Sequence, residues 1–148
     1  MSDLLPARRA KRILLIDDND VFRGSLAHML AHEGYDVIEA ADGGEGAQLF
    51  VEHKPALVIT DMVMPGMNGI ETMLELWRDY PHARFIAISG SAHAFNAEFN
   101  LSCAKEMGAL HTFVKPLNRG EFLAAVADAI ATAPEANESP QPIVPLPA

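Results

Sequence analysis

Five side chains in this 148-residue chain stand where chemistry could be done: Asp17, Asp18, Asp61, Ser89 and Lys115. Each closes a short apolar run. Residues 12–16 (Arg-Ile-Leu-Leu-Ile) end on the paired carboxylates, and residues 57–59 (Leu-Val-Ile) lead through Thr60 to Asp61. Residues 85–88 (Phe-Ile-Ala-Ile) end on Ser89, and residues 111–114 (His-Thr-Phe-Val) deliver Lys115. Runs this short, rich in branched residues and bounded by turn signals, predict buried strands. A lone aspartate at a strand end commonly caps the next turn and does nothing more. Three carboxylates, an ammonium and a hydroxyl together offer more. Brought within a few ångströms, the carboxylates would repel one another by roughly 3 kcal/mol per pair at an effective dielectric near 20, which calls for a cation. An all-oxygen set suits Mg²⁺ better than zinc. Lys115 can hold a transferring phosphoryl oxygen as a point charge, and Ser89 can donate to another. With a carboxylate as nucleophile, the predicted chemistry is phosphoryl transfer that makes an aspartyl phosphate on Asp61.

These residues meet only if the strands are parallel and in register at one edge. Between the apolar runs lie helical patterns. From Asn19, Phe22, Leu26, Met29 and Leu30 share a face, and Gly34 stands where it would stop the helix. Residues 35–40 predict a second strand. Asp42-Gly43-Gly44-Glu45-Gly46 opens a helix with an expected core face of Ala47, Phe50 and Val51; its glycines lack the spacing and position of a dinucleotide fingerprint. Asn68 and Glu71 form a capping box before a helix expected to bury Ile70, Met73, Leu74 and Trp77. A helix over about 96–107, stopped by Gly108, precedes the fifth strand. Asn118 and Glu121 form another capping box, with Leu117 and Phe122 as a hydrophobic staple, for a last helix reaching about Thr132. Five strand-then-helix units in alternation predict an α/β fold, a doubly wound five-stranded parallel sheet with helices on both faces and the five side chains at the carboxyl ends of its strands.

Composition sets the outer limits. An apolar content of 49% with 21% charged residues fits one globular domain over 11–132, flanked by an N-terminal extension (1–10) and a disordered Pro-rich tail (133–148). The tail's proline spacing admits an aromatic groove as partner, but inert linkers of this kind are commoner. A net charge of −9 argues against direct binding of nucleic acid. The start lacks a signal peptide's apolar core and no apolar run approaches the ~20 residues of a membrane span, so a soluble, cytoplasmic protein is expected. Cys103 has no partner for an internal disulfide and is expected to pack. His28 and His32 share a helix face without the further ligands a metal site needs, and His93 and His111 read as loop and strand-surface residues. Met62, Met64 and Met67 belong to the turn and the helix entry.

At these motifs the chain resembles the receiver domain of two-component response regulators. The matching pieces are Leu-Ile-Asp17-Asp18, Thr-Asp61-Met-x-Met-Pro65-Gly-Met-Asn-Gly69, Ile-Ser89-Gly, and Gly108-Ala109 followed by Lys115-Pro116, covering about 11–132. The resemblance implies a flavodoxin-like strand order 2-1-3-4-5 and phosphorylation of Asp61 by a histidine kinase or phosphotransfer protein. It implies Mg²⁺ held by Asp18, Asp61 and the backbone carbonyl of Val63, with Asp17 acting through water. A stand-alone switch acting by protein–protein interaction or phosphorelay is expected, with no output domain of its own.

Two departures from the family pattern matter. Three positions before Lys115, where most receivers carry an aromatic switch residue, this chain has Thr112; Phe113 follows on the opposite, inward side of the strand. Residues 91–100 make the stretch between Ser89 and Gly108 longer than usual and carry Phe95 and Phe99 at helical spacing. Two alternatives compete: a Mg²⁺-dependent phosphatase with an Asp nucleophile, and a degenerate receiver that only binds. Such phosphatases usually place a second Asp two residues after the first, where Val63 stands, and all five receiver residues are present. Val63 and Ser91 are expected to flank the approach of water to the acyl phosphate, and a valine there should prolong its life.

Overall fold

The computed structural model describes residues 11–64, 68–90 and 94–131, with the side chains of 94–98 left out. The expected N-terminal extension and Pro-rich tail lie outside the described residues, as do Ser91 and His93. In chain order the elements are β1 (Arg12–Ile16), α1 (Asp20–His32), β2 (Asp36–Ala40), α2 (Gly43–His53) and β3 (Leu57–Asp61). They continue with α3 (Gly69–Asp79), β4 (Phe85–Ser89), α4 (Ala94–Met107), β5 (His111–Val114) and α5 (Arg119–Ala131). All neighbouring strands pair in parallel, in the order β2-β1-β3-β4-β5 expected from the resemblance.

Parallel strands covered on both faces are apolar along most of their length, and β3 and β4 are buried at every residue, with their polar residues confined to the carboxyl ends. Successive side chains alternate between faces, so the core divides in two. Leu14, Ile16, Val58, Phe85 and Ala87 pack with residues of α2, α3 and α4. Ile13, Leu15, Leu57, Ile59, Ile86 and Ile88 pack with α1 and α5. Phe113 joins the second layer, its ring 5.4 Å from that of Phe122, so the inward placement expected for it holds and Thr112 lies on the other face.

Helix starts follow the side-chain chemistry. Asn19, Asp42 and Asn68 each accept a backbone N–H three residues on, at 3.0, 2.8 and 2.9 Å, and Asn118 does the same for Glu121 at 2.9 Å. The Asn68–Glu71 box is complete, because the Glu71 carboxylate also accepts the Asn68 N–H. Gly34 and Gly108 have φ of 93° and 125°, the left-handed region that lets the chain leave α1 and α4.

Two helix faces differ from expectation. Val51 is exposed, and α2 turns Gly43, Gly46 and Phe50 inward. A side chain at Gly46 would run into Ile16, so the helix approaches the sheet through its glycines, and that contact, not the positions of its aliphatic residues, sets its rotation. Leu74 is likewise exposed, while Thr72, Met73 and Leu76 are buried. Thr72 can face the core because its hydroxyl is satisfied by the Asn68 carbonyl at 3.0 Å. Helix α4 begins at Ala94, two residues before the sequence suggested, and Phe99 on it is exposed.

Candidate functional site

The carboxyl ends of β1 and β3, the two central neighbours, bring Asp17 and Asp61 side by side below the surface; they are 1% and 6% exposed. Lys115 arrives from the end of β5, where its backbone N–H donates to the Ser89 carbonyl at 2.8 Å. Its Nζ donates to Asp17 Oδ2 at 2.9 Å and to Asp61 Oδ2 at 3.0 Å. The other oxygen of each carboxylate is used too: Asp17 Oδ1 accepts the Asn19 N–H at 2.9 Å, and Asp61 Oδ1 accepts the Val63 N–H at 3.0 Å. Both acids are thereby fixed in orientation. Asp18, next in sequence to Asp17, faces solvent, yet one ligand atom from each of Asp17, Asp18 and Asp61 falls within 4.8 Å of the others.

One lysine against three carboxylates leaves the pocket net negative. Burial pushes the Asp61 carboxyl above the usual carboxylate range, and the Asp17 charge adds to the push; the Val63 N–H and Lys115 oppose it without prevailing. For Lys115, burial works against the charged form, but the bonds to Asp17 and Asp61 outweigh it and raise the ammonium above its ordinary value. The lysine is therefore fully charged at neutral pH. Three oxygen donors and no sulfur or imidazole fit a hard divalent cation, with the exposed Asp18 side open to water.

Of the sequence-predicted residues, Asp17, Asp18, Asp61 and Lys115 come together. Ser89 is buried at the same sheet edge, but its hydroxyl takes no part in the hydrogen bonds that join the charged groups. Val63 is half-exposed beside Asp61 and contributes its N–H. Three further residues escaped the sequence reading as parts of the site. Arg23 grips the Asp17 carbonyl at 2.6 Å and binds Asp20 and Glu39 at 2.9 and 3.1 Å, bracing the end of β1 from α1 and β2. Phe22, expected only as core, lays its ring 4.1 Å from Lys115 Nζ. Gly69 abuts the strand end: a Cβ there would sit 2.5 Å from the Asp61 carbonyl oxygen. Nothing in the spacing marks the first two; the Gly69 position lies within the turn motif but its reason is visible only in the packing.

The chain's similarity to known proteins matches this geometry. The model of the response regulator receiver domain covers residues 13–127. The chain belongs to the response regulator receiver domain family. Receiver domains of this family are signalling switches of two-component systems, and the phospho-acceptor aspartate is their working part. This receiver domain is 34% identical to the transcriptional regulatory protein PdtaR of Mycobacterium tuberculosis over 121 residues, 81% of this chain and 57% of that protein. It therefore spans little more than half of that regulator. With the chemotaxis protein CheY of Thermotoga maritima the identity is 32% over 117 residues, covering 78% of this chain and 94% of CheY. Among solved structures, the CheX–CheY–BeF3–Mg²⁺ complex of Borrelia burgdorferi contains a chain 30% identical with a TM-score of 0.70, covering 79% of this chain and 87% of that one. Among the described residues of the receiver domain no helix is long and apolar enough to cross a membrane.

Proposed function

We propose that Asp61 is the phospho-acceptor of this receiver domain, taking the phosphoryl group of a phosphohistidine on a histidine kinase or phosphotransfer protein. The observation that carries this reading is the Lys115 ammonium bridging Asp17 and Asp61 at 2.9 and 3.0 Å, in a pocket with too few positive charges. An Asp61 oxygen attacks phosphorus, the bond to the imidazole nitrogen breaks, and that nitrogen departs with its electron pair. Val63 N–H keeps Asp61 aimed, while Lys115 follows the negative charge from Asp61 Oδ2 to a phosphoryl oxygen. The Ser89 hydroxyl stands at the same edge to donate to another. Asp18, Asp61 and the Val63 carbonyl would hold a Mg²⁺, with Asp17 acting through water, and the ion would neutralise charge on the transferring group; the three carboxylates that gather there support this reading.

The proposed output is binding of a partner protein or onward transfer of the phosphoryl group, in the cytoplasm. A chain carrying −9 is poorly suited to touch nucleic acid itself. Turnover is confined to slow loss of its own phosphoryl group, because Val63 cannot serve as the general acid a phosphatase needs two residues after its nucleophile. Incubation with Mg²⁺ and a small phosphodonor, followed by intact mass measurement, tests the assignment. The parent should gain one phosphoryl group and Asp61→Ala none; a normal gain in Asp61→Ala refutes it.

A further inference from the structure

Lys115 Nζ spends two of its three N–H bonds on Asp17 and Asp61. The ring of Phe22 lies over the same nitrogen, with its centroid at 4.1 Å. Phe22 occupies the first turn of α1, half-buried, and its backbone N–H is tied to the Asn19 cap at 3.0 Å. The next residue, Arg23, is held to the Asp17 carbonyl at 2.6 Å. The bonds that set Asp17 therefore also set the ring above the lysine.

We propose that Phe22 is a positioning residue for phosphoryl transfer: its ring face steadies the Lys115 ammonium over the Asp17–Asp61 pair and keeps water off it. A ring face attracts a cation without a directional hydrogen bond. It can hold the ammonium against the carboxylates and still let it shift toward a phosphoryl oxygen, with no acceptor on that side to be released. A carboxylate or hydroxyl in that place would compete for the N–H; an aliphatic side chain would cover the nitrogen without attracting it. The inference rests on Asp61 being the acceptor.

The test uses a small phosphodonor, acetyl phosphate, at saturating Mg²⁺, because such a donor has no protein surface to dock on α1. Phe22→Leu should slow phosphorylation about fivefold to thirtyfold, equivalent to about 1–2 kcal/mol. Phe22→Tyr, which keeps the ring face, should stay within about twofold of the parent. A ring-fluorinated phenylalanine installed at position 22 weakens the quadrupole at nearly constant shape and should fall between the parent and Phe22→Leu. A leucine variant as fast as the parent overturns the proposal. So does a fluorinated ring as fast as the native one beside a slow leucine variant, since bulk alone would then explain the loss. The contact has its own readout. Lys115 shares the chain with only Lys11, Lys54 and Lys105, and its ε-methylene NMR signals should be shifted upfield by the ring in the parent and return to ordinary positions in Phe22→Leu. Absence of that shift overturns the contact whatever the kinetics show. A parent that takes up no phosphoryl group refutes Asp61 as acceptor instead, and the NMR measurement still decides the contact.

Discussion

Replacing Asp61 by asparagine should make the metal-free protein more stable at neutral pH, although it deletes half of the Lys115 bridge. The substitution keeps shape and leaves an oxygen to accept the Val63 N–H. At an effective dielectric near 20, Lys115 at 3.0 Å attracts the Asp61 charge by about 5–6 kcal/mol. Asp17, no more than 4.8 Å away, repels it by about 3–4 kcal/mol, and the solvent-screened Asp18 adds a smaller repulsion. The pair interactions come close to cancelling, and burial of Asp61 at 6% exposure then tips the balance against the charge. A gain on the order of 1 kcal/mol follows for Asp61→Asn, or about 2–4 °C in Tm for a chain of this size. The sign with pH follows from the raised carboxyl. A folded value above the unfolded one favours the native state fully below the unfolded value, near 3.9, and that contribution is lost as pH rises through the folded value. The advantage of asparagine should therefore be present at pH 7 and shrink toward pH 4. Thermal unfolding in a chelator at both pH values, at low salt, measures it. Added Mg²⁺ should raise the parent above the variant, since a ligand at a hundred times its Kd contributes about 2.7 kcal/mol to the state that binds it. An asparagine variant that melts below the parent in chelator at pH 7 would show that the Lys115 pair outweighs burial and refute the reasoning.

Three further outcomes are expected. Val63→Asn should shorten the life of the phosphorylated state about tenfold at constant Mg²⁺, because a half-exposed amide beside Asp61 can orient a water that valine cannot; equal decay after donor removal would place control of the lifetime elsewhere. Gly69→Ala should destabilise the fold by about 1–3 kcal/mol and depress phosphorylation, since its Cβ meets backbone at the Asp61 carbonyl, whereas Gly24→Ala, mid-helix on α1 with nothing within 4 Å, should stabilise by up to about 1 kcal/mol in the same melting assay.

The sequence alone determined the elements and the edge at which their polar ends gather, because those depend on local pattern. Short apolar runs ending on Asp17, Asp61, Ser89 and Lys115 read as strands by their length and turn signals, and strict alternation with capped helices requires them to be parallel, which sends all four ends to one edge. The strand order came with the family motifs, since alternation leaves it open. Only the tertiary structure decided what each side chain does there. Lys115 reaches Asp17 across 98 residues of sequence, Asp17 is buried while Asp18 beside it is not, and Ser89 shares the edge without joining the charged network. The rotations of α2 and α3 were decided there too: Gly46 against Ile16 and Thr72 bonded to the Asn68 carbonyl turn Val51 and Leu74 outward, against their hydrophobicity. Phe22 and Arg23 entered the site in the same way. Reach and rotation are settled by contacts between distant elements, and no periodicity within one element carries that information.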